Sequence, residues 1–198
     1  MIKEGRSGVT ADTPKNIMFG AGTIHKGLKY TGSGGSGSWN FADSIIGATS
    51  GGSKISIVPE VTKVEVDGAL VSTKGLNAKT GETATMEINF AEITKDIIKA
   101  ATFAKDGTSA DTTYDLIESK PDIEAGDYLE NIAYVGKTLD GRNIIAIMDN
   151  ALCTSGFEAE GKNKESAKPA FTFECNADLE TSDLQTLPWH IYYPKDAA

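Results

Sequence analysis

Apolar and polar residues alternate along much of this chain with the period of two that is typical of strands buried on one face. The clearest case is residues 83–90. Its apolar positions fall on one predicted face and are Ala84, Met86, Ile88 and Phe90. The pattern predicts a strand that turns this face toward a core and leaves Thr83, Thr85, Glu87 and Asn89 on the polar side.

An Asp-Gly pair at Asp67-Gly68 follows a shorter alternating stretch, residues 63–67. Tight hairpin turns need residues with positive φ, and Asp-Gly is one of their strongest signals. We therefore expect a second strand, Ala69–Lys74, that folds back on the first.

The C-terminal half shows further strands of the same kind. Leu139-Asp140-Gly141-Arg142 separates residues 128–138 from the almost wholly apolar residues 144–148, which predicts a hairpin whose second strand is covered on both faces. Alternation also predicts strands at 171–175 and 187–193. The side chains expected in the core there are Phe171, Phe173, Cys175, Trp189 and Tyr193.

One segment has helical periodicity. Thr94 is suited to cap a helix over residues 94–105, with Asp96 in its first turn, where the helix dipole favours a carboxylate. Asp106-Gly107 is expected to end that helix. Weaker patterns predict a second helix around 114–119 and a helical turn at 41–46.

Length and pattern together predict the fold class. With 198 residues the chain is long enough for one domain with a substantial core. We expect a single mainly β domain over residues 1–198, a β-sandwich or bent barrel of antiparallel strands with one flanking α-helix. Residues 1–16 form a polar N-terminal arm without a core of its own.

Residues 31–53 combine flexibility with apolar side chains. Glycine and serine flank Trp39, Phe41, Ile45 and Ile46. A plain linker has no use for such residues, so we expect this loop to dock on a partner surface and to be poorly ordered without one.

Charge and hydropathy narrow the class of partner. Lys and Arg number 19 against 28 Asp and Glu, a formal net charge of −9, which disfavours a surface that grips nucleic-acid phosphates. The chain has no apolar run of about 18 residues, so no membrane insertion is expected, and its first residues lack a signal-peptide core.

The chemically reactive residues form no recognisable constellation. The stretch GATSGGSK, residues 47–54, departs from a P-loop because its lysine comes one residue late and a strand rather than a helix follows. The two histidines, His25 and His190, and the two cysteines, Cys153 and Cys175, are too scattered for a short-range metal motif. The two cysteines are expected to be reduced, buried thiols. We therefore expect no catalytic residue, cofactor or metal, and the sequence gives no positive reason to consider the chain an enzyme.

The order of features resembles the major tail (tail tube) proteins of long-tailed bacteriophages. It comprises a polar arm, a Gly-rich loop ending in ATSGG, KISIVPEVTKVEVDG with ALVSTKG, ETATMEINF, the helix ITKDIIKAATF, and then KPAFTFECNAD and LPWHIYYP. The likeness covers nearly the whole chain and is one of pattern and order.

The resemblance implies an assembly. Six copies would close a ring with a continuous inner sheet, and rings would stack into a tube in the virion tail, assembled in the host cytoplasm, through which DNA is ejected without specific binding. Expected partners are further copies of the chain and the tape measure, tail terminator and distal tail proteins. The loop anchors Trp39, Phe41, Ile45 and Ile46 would contact a neighbouring subunit or ring. Acidic side chains expected to face the lumen are Glu65, Asp67, Glu87 and Glu174.

Other interpretations stay open at the level of sequence. Tube proteins of contractile tails and of secretion-type injection machines share the expected architecture. A β-sandwich carbohydrate- or cell-binding module is a further alternative. Such modules usually place aromatic residues in loops at one end, whereas here they alternate within strands.

Overall fold

The computed structural model describes residues 8–33, 35–164, 166–181 and 184–195. Strands dominate, and the helices are short. In chain order the elements are α1 Thr13–Asn16, β1 Met18–Lys26, β2 Tyr30–Thr31, β3 Ser38–Trp39, α2 Phe41–Ser44, β4 Thr49–Lys63, β5 Asn77–Phe90, α3 Lys95–Thr102, β6 Lys105–Gly107, β7 Leu116–Glu118, β8 Leu129–Thr138, β9 Asn143–Cys153, β10 Ala170–Cys175 and β11 Trp189–Tyr192, with 3₁₀ turns at Ala125–Asp127 and Leu179–Thr181.

A seven-stranded antiparallel sheet organises the described chain. Six strands follow the order β1-β8-β9-β10-β5-β4, and β11 pairs with the first half of β9 beside β10. Two small hairpins, β2-β3 and β6-β7, complete the structure. The predicted fold class is confirmed, since the chain is mainly β with antiparallel sheets and a few short helices, consistent with a β-sandwich-like fold.

The sheet bends until its two outer strands approach each other, and the segment 45–48 closes the seam at one end. The amide of Ile46 donates to the carbonyl of Ile24 on β1 at 3.1 Å, and the amide of Ala91, just after β5, donates to the carbonyl of Ala48 at 2.8 Å. Backbone groups that would otherwise end the sheet are satisfied in this way. The seam is therefore held where β1 ends and β4 begins.

The main core lies on the concave side of this sheet, where α3 covers it. Ala84, Met86, Ile88 and Phe90 of β5 have no exposed surface, which confirms the predicted face. They pack with the apolar face of β10, and the rings of Phe90 and Phe171 meet edge to face at 5.6 Å between centroids. Both cysteines are buried and free.

A second, smaller core lies on the opposite face of β8 and β9. It comprises Leu28, Ala133, Val135, Ile145 and Ile147, and Trp39 and Phe41 pack against it. Met148 and Ala151 of β9 belong instead to the main core. The prediction that β9 is covered on both faces is thus confirmed, and its uninterrupted apolar run follows from that position.

The helix α3 begins where its sequence predicted and ends earlier. The Thr94 hydroxyl oxygen accepts the amide of Ile97 at 3.3 Å, which confirms the cap. The expected end at Asp106-Gly107 is wrong, because Phe103 takes a left-handed conformation with φ 51°. The carboxylate of Asp106 instead bonds Lys95 and Lys99 at 2.9 and 2.6 Å, which holds β6 back against the helix.

The predicted second helix at 114–119 is also wrong. Leu116–Glu118 is the strand β7, which pairs with β6. The side chain of Lys120 follows this strand and bonds Glu124 at 2.9 Å and Asp127 at 2.7 Å. Pairing with β6 and these contacts outweigh a weak local helical preference.

The predicted turn at Asp67-Gly68 is confirmed, but the predicted return strand at 69–74 is wrong. A turn does occur at Asp67-Gly68, but the strand that pairs with β4 is β5, which starts at Asn77, and residues 69–74 lie in a loop. The amide of Val64 donates to the carbonyl of Leu76 at 2.7 Å and closes this loop, residues 64–76. No core lies beneath this loop, so its alternating apolar side chains stay exposed.

The C-terminal strand is confirmed, but only part of its expected apolar face is buried. Trp189 packs against the main core, whereas Tyr193 is 55 % exposed and is not a core residue. The Tyr193 hydroxyl donates to the side-chain oxygen of Asn16 at 2.7 Å, so this end of the chain is fastened to α1 by a polar contact.

Truncation of Ile88 tests the position of the core. Ile88→Ala should lower the free energy of unfolding by roughly 2–5 kcal/mol, because a fully buried aliphatic side chain is lost and a cavity remains. Glu87→Ala, on the exposed face of the same strand, is the matched control and should change it by less than about 0.5 kcal/mol. Equal effects of the two substitutions in denaturant titrations would contradict the assignment of faces.

Candidate assembly surface

The Gly-rich stretch 47–54 forms the entrance to β4. Gly51 and Gly52 have φ values of 99° and 86°, a region in which other residues are strained. The register with β5 shifts between Thr49 and Ser53, so the strand bulges here. A bulge bends and twists a strand, and this one carries the chain from the seam segment onto the main sheet. The strand begins at Thr49 and not at Lys54, and no helix follows, as the departure from a P-loop predicted.

Three of the four apolar anchors of the loop 31–53 are better packed within the chain than the composition of the loop suggested: Trp39, Phe41 and Ile46. The ring of Trp39 lies 4.9 Å from that of Tyr192, nearly perpendicular to it, and stacks on Phe41 at 6.2 Å. The expectation that Trp39 and Phe41 need a partner to find a packing surface is wrong, because the second core supplies one. Ile46 packs on the main core, while Ile45 stays exposed. A role for these four residues at a subunit contact remains a prediction.

A buried polar cluster lies under α2. His25 is 1 % exposed, its Nδ1 lies 2.9 Å from the Ser44 hydroxyl oxygen, and its Nε2 lies 2.8 Å from that of Thr23. The Ser44 hydroxyl donates to the carbonyl of Asn40 at 2.8 Å, so the ring must donate from Nδ1 and accept from Thr23 at Nε2. Each polar atom has a partner, and the cluster joins β1 to α2.

Burial sets the protonation of this histidine. Removal from water lowers the pKa of His25, because the charged ring loses more solvation than the neutral one. The neutral ring is therefore the one that fits the folded chain. His25 and Ser44 are 19 positions apart and belong to no local motif, so the sequence carried no signal that they would meet.

The two outer strands of the main sheet each leave an edge without a strand partner among the described residues. We call residues 18–22 the β1 edge and residues 54–63 the β4 edge. Exposed apolar side chains lie along both: Met18 and Phe19 on the first, Val58 and Val61 on the second. Pro59 removes one amide from the β4 edge, a feature that limits unselective pairing.

Beyond the body, β4 and β5 continue as a two-stranded arm, residues 58–80. Its strands pair with each other, whereas β10 pairs with β5 only from Thr85 to Asn89. The loop 64–76 forms the arm tip, where Leu70 is 97 % and Val71 78 % exposed. Large apolar side chains in such a position are unusual and mark contact surfaces. Their place beside the Asp-Gly turn was the signal that sequence reasoning passed over.

The four candidate lumen acids do not lie together. Glu65 and Asp67 belong to the arm tip and not to a strand, so their expected place on an inner-wall strand is wrong. Glu87 and Glu174 lie on the neighbouring strands β5 and β10, on the face opposite the main core. Glu87 is paired there with Lys54 of β4 at 3.0 Å. That these carboxylates face a lumen remains a prediction.

Across the described ranges, no three His, Cys, Asp or Glu side chains come together in a way that could hold a metal ion. In the same part of the chain, no helix has both the length and the apolar character required to cross a bilayer.

Comparison with known proteins adds no relative. No protein-family model matches the chain, and a search of curated proteins finds no match.

Removal of the Trp39 side chain should destabilise the single chain. Trp39→Ala is expected to lower the free energy of unfolding by roughly 1–3 kcal/mol, below the 3–5 kcal/mol typical of a fully buried aromatic residue, because Trp39 is half-buried. Tyr114→Ala, at an exposed aromatic residue, should stay within about 0.5 kcal/mol. A value that small for Trp39→Ala in thermal or denaturant unfolding would show that the second core does not hold this ring.

The buried histidine should make stability depend on pH. Below about pH 6.5, the ordinary pKa of histidine, the unfolded chain binds a proton that the folded chain takes up only at lower pH, so the free energy of unfolding falls as pH is lowered. The contribution is complete above that pH. Unfolding curves of the wild type and His25→Gln between about pH 7 and 5 should diverge in slope. Carboxylates common to both proteins cancel in this difference, and parallel slopes would refute the burial effect.

Proposed function

We propose that this chain is a structural protein of the virion, a tail tube subunit of a long-tailed bacteriophage whose copies join into hexameric rings that stack into a conduit for DNA. Two lines support the proposal. The order of features along the sequence resembles that family. The main sheet also ends in two open edges, each with exposed apolar side chains, which is the observation that carries the proposal.

Strand direction makes these edges complementary. The path from β1 to β4 contains six strands, and each runs antiparallel to its neighbour, so the first and last strands run in opposite directions. The β4 edge of one copy can therefore meet the β1 edge of an equally oriented copy as an antiparallel pair. A contact between two different surfaces is heterologous, and it closes into a ring when the rotation between copies allows.

Pairing of this kind would satisfy both edges at once. Open strand edges invite uncontrolled association, and ring closure removes them. Burial of Met18 and Phe19 against Val58 and Val61 would add apolar contact to the backbone hydrogen bonds. The number of six copies comes from the family resemblance, because the geometry of one chain does not determine it.

The charge of the chain suits a conduit. With a net charge of −9 the protein repels nucleic acid on average, so DNA would pass without being held. The polar face of β5 and β10, which carries Glu87 and Glu174, is the natural candidate for the inner wall. Tape measure, tail terminator and distal tail proteins remain the other expected partners.

Assembly of the purified protein tests this function. Electron microscopy should show rings or tubes, and persistent monomers at high concentration would overturn the proposal. Phe19 is 71 % exposed in the single chain. Phe19→Asp should prevent ring formation, because it places a charge where the apolar β1 edge would be buried by pairing. Tyr114→Asp, a matched change at a residue 72 % exposed and distant from both edges in sequence, should assemble normally.

A further inference from the structure

The arm, residues 58–80, joins the body of the molecule at an irregular point of its two strands. The register between β4 and β5 shifts between Glu60 and Val61, and Thr80 of β5 is the extra residue. An extra residue interrupts the ladder of hydrogen bonds and lets a strand bend locally. The pairing of β4 with β5 therefore does not by itself fix the direction of the arm relative to the body.

A carboxylate at this root accepts from three donors. Glu82 lies on the same face of β5 as the buried Ala84, and its side chain is only 8 % exposed. Lys79 of the arm bonds it at 3.0 Å, and the indole N–H of Trp189 and the amide of Leu187 donate to it as well. Hydrogen bonds to a charged acceptor are stronger than those between neutral groups. The Glu82 side chain thus joins the arm to the start of β11.

The strand β11 is itself firmly held. It pairs with β9 over its whole length. Beyond its end, the Tyr193 hydroxyl donates to Asn16 of α1 at 2.7 Å. Arg142 donates through one guanidinium nitrogen to the carbonyl of Lys195 at 3.3 Å and through another to that of Lys15 at 3.2 Å. A group bonded to β11 is therefore fixed relative to β9 and to α1, the helix directly before the β1 edge.

Strand registers show that Glu82 lies where a ladder is missing. β10 lies between β9 and β5, and β11 occupies the same place beside the first half of β9. Continuation of both registers puts Trp189 level with Gly81, at the root of the arm. Among the described residues, however, β11 pairs only with β9. Backbone pairing does not join β11 to the arm, and the contacts of the Glu82 side chain do.

We propose that Glu82 is a latch that fixes the arm on β11 and so sets the direction of the β4 edge relative to the β1 edge. The β4 edge runs into the arm as far as residue 63, so it turns with the arm. Edges held at a set angle before two copies meet lose less conformational entropy when they pair. The use of the latch in ring closure rests on the proposed function, whereas the latch itself is a property of the single chain.

Distances between two spin labels in dilute single chains test the latch. One label is placed in the arm with Val61→Cys, and the other with Leu139→Cys, whose amide bonds Ile17 just before β1. Both positions are exposed. Pulsed electron paramagnetic resonance should give a narrow distance distribution. Glu82→Met has a similar length without an acceptor and should broaden the distribution severalfold, whereas Glu82→Gln keeps one acceptor oxygen and should broaden it less.

A second cut and a matched control complete the experiment. Trp189→Phe keeps an aromatic ring on the core, removes only the indole donor and should also broaden the distribution, so it decides the matter if Glu82→Met does not fold. Glu60→Met, at an exposed acid of the same root, should leave the distribution unchanged. Cys153 and Cys175 are buried, and labelled wild type measures their background. Circular dichroism shows which variants retain the fold.

The outcomes separate the latch from the proposed function. Distributions as narrow as that of Glu60→Met in every folded latch variant would overturn the latch, and rings or tubes of the wild type would still support the function. Broadening in a chain that never forms rings or tubes would support the latch and count against the tube. If both hold, Glu82→Met should also form rings or tubes in lower yield than the wild type.

Discussion

Closure of the bent sheet at one end is the constraint on which the rest of the structure depends. The segment 45–48 joins the end of β1 to β5 through backbone hydrogen bonds, and the bulge at Gly51 and Gly52 allows the chain to make that turn. Among the described residues, the backbone hydrogen bonds that close the seam lie at this end, so the sheet encloses a core beside α3 while its outer strands stay unpaired with each other at the other end. The core and the free edges are two results of the same bend.

The same segment explains why the chain needs a buried histidine. α2 lies directly before the seam, and its Ser44 is tied to β1 through His25, which fixes the helix from below while Trp39 and Phe41 fix it against the second core. Burial favours the neutral ring, with both nitrogens bonded, over the charged one. A polar cluster thus contributes to the seam at a position where apolar packing alone would leave the direction of α2 less defined.

The open end of the molecule has a different character. There the edges, the arm and its tip expose backbone groups and aliphatic side chains that a monomer gains nothing by displaying. The arm is stiffened by its own pairing, and its tip by turn hydrogen bonds. Rigid, apolar and projecting features are those expected of a surface that is completed by other copies, which links the geometry to the proposed tube.

Local interactions within the sequence determined much of this protein. The alternation at 83–90, the Thr94 cap and the Asp-Gly turns were predictable, because side-chain periodicity, capping and positive φ act over a few residues. Tertiary structure decided the rest. Residues 69–74 form a loop and not the predicted strand, because no core lies beneath them to bury an apolar face. Within residues 114–119, pairing with β6 outweighed the local helical preference. The meeting of His25 with Ser44, the packing of Trp39 on Tyr192 and the isolation of the arm tip depend on contacts between segments far apart in the chain, and only the bend of the sheet brings those segments together or separates them.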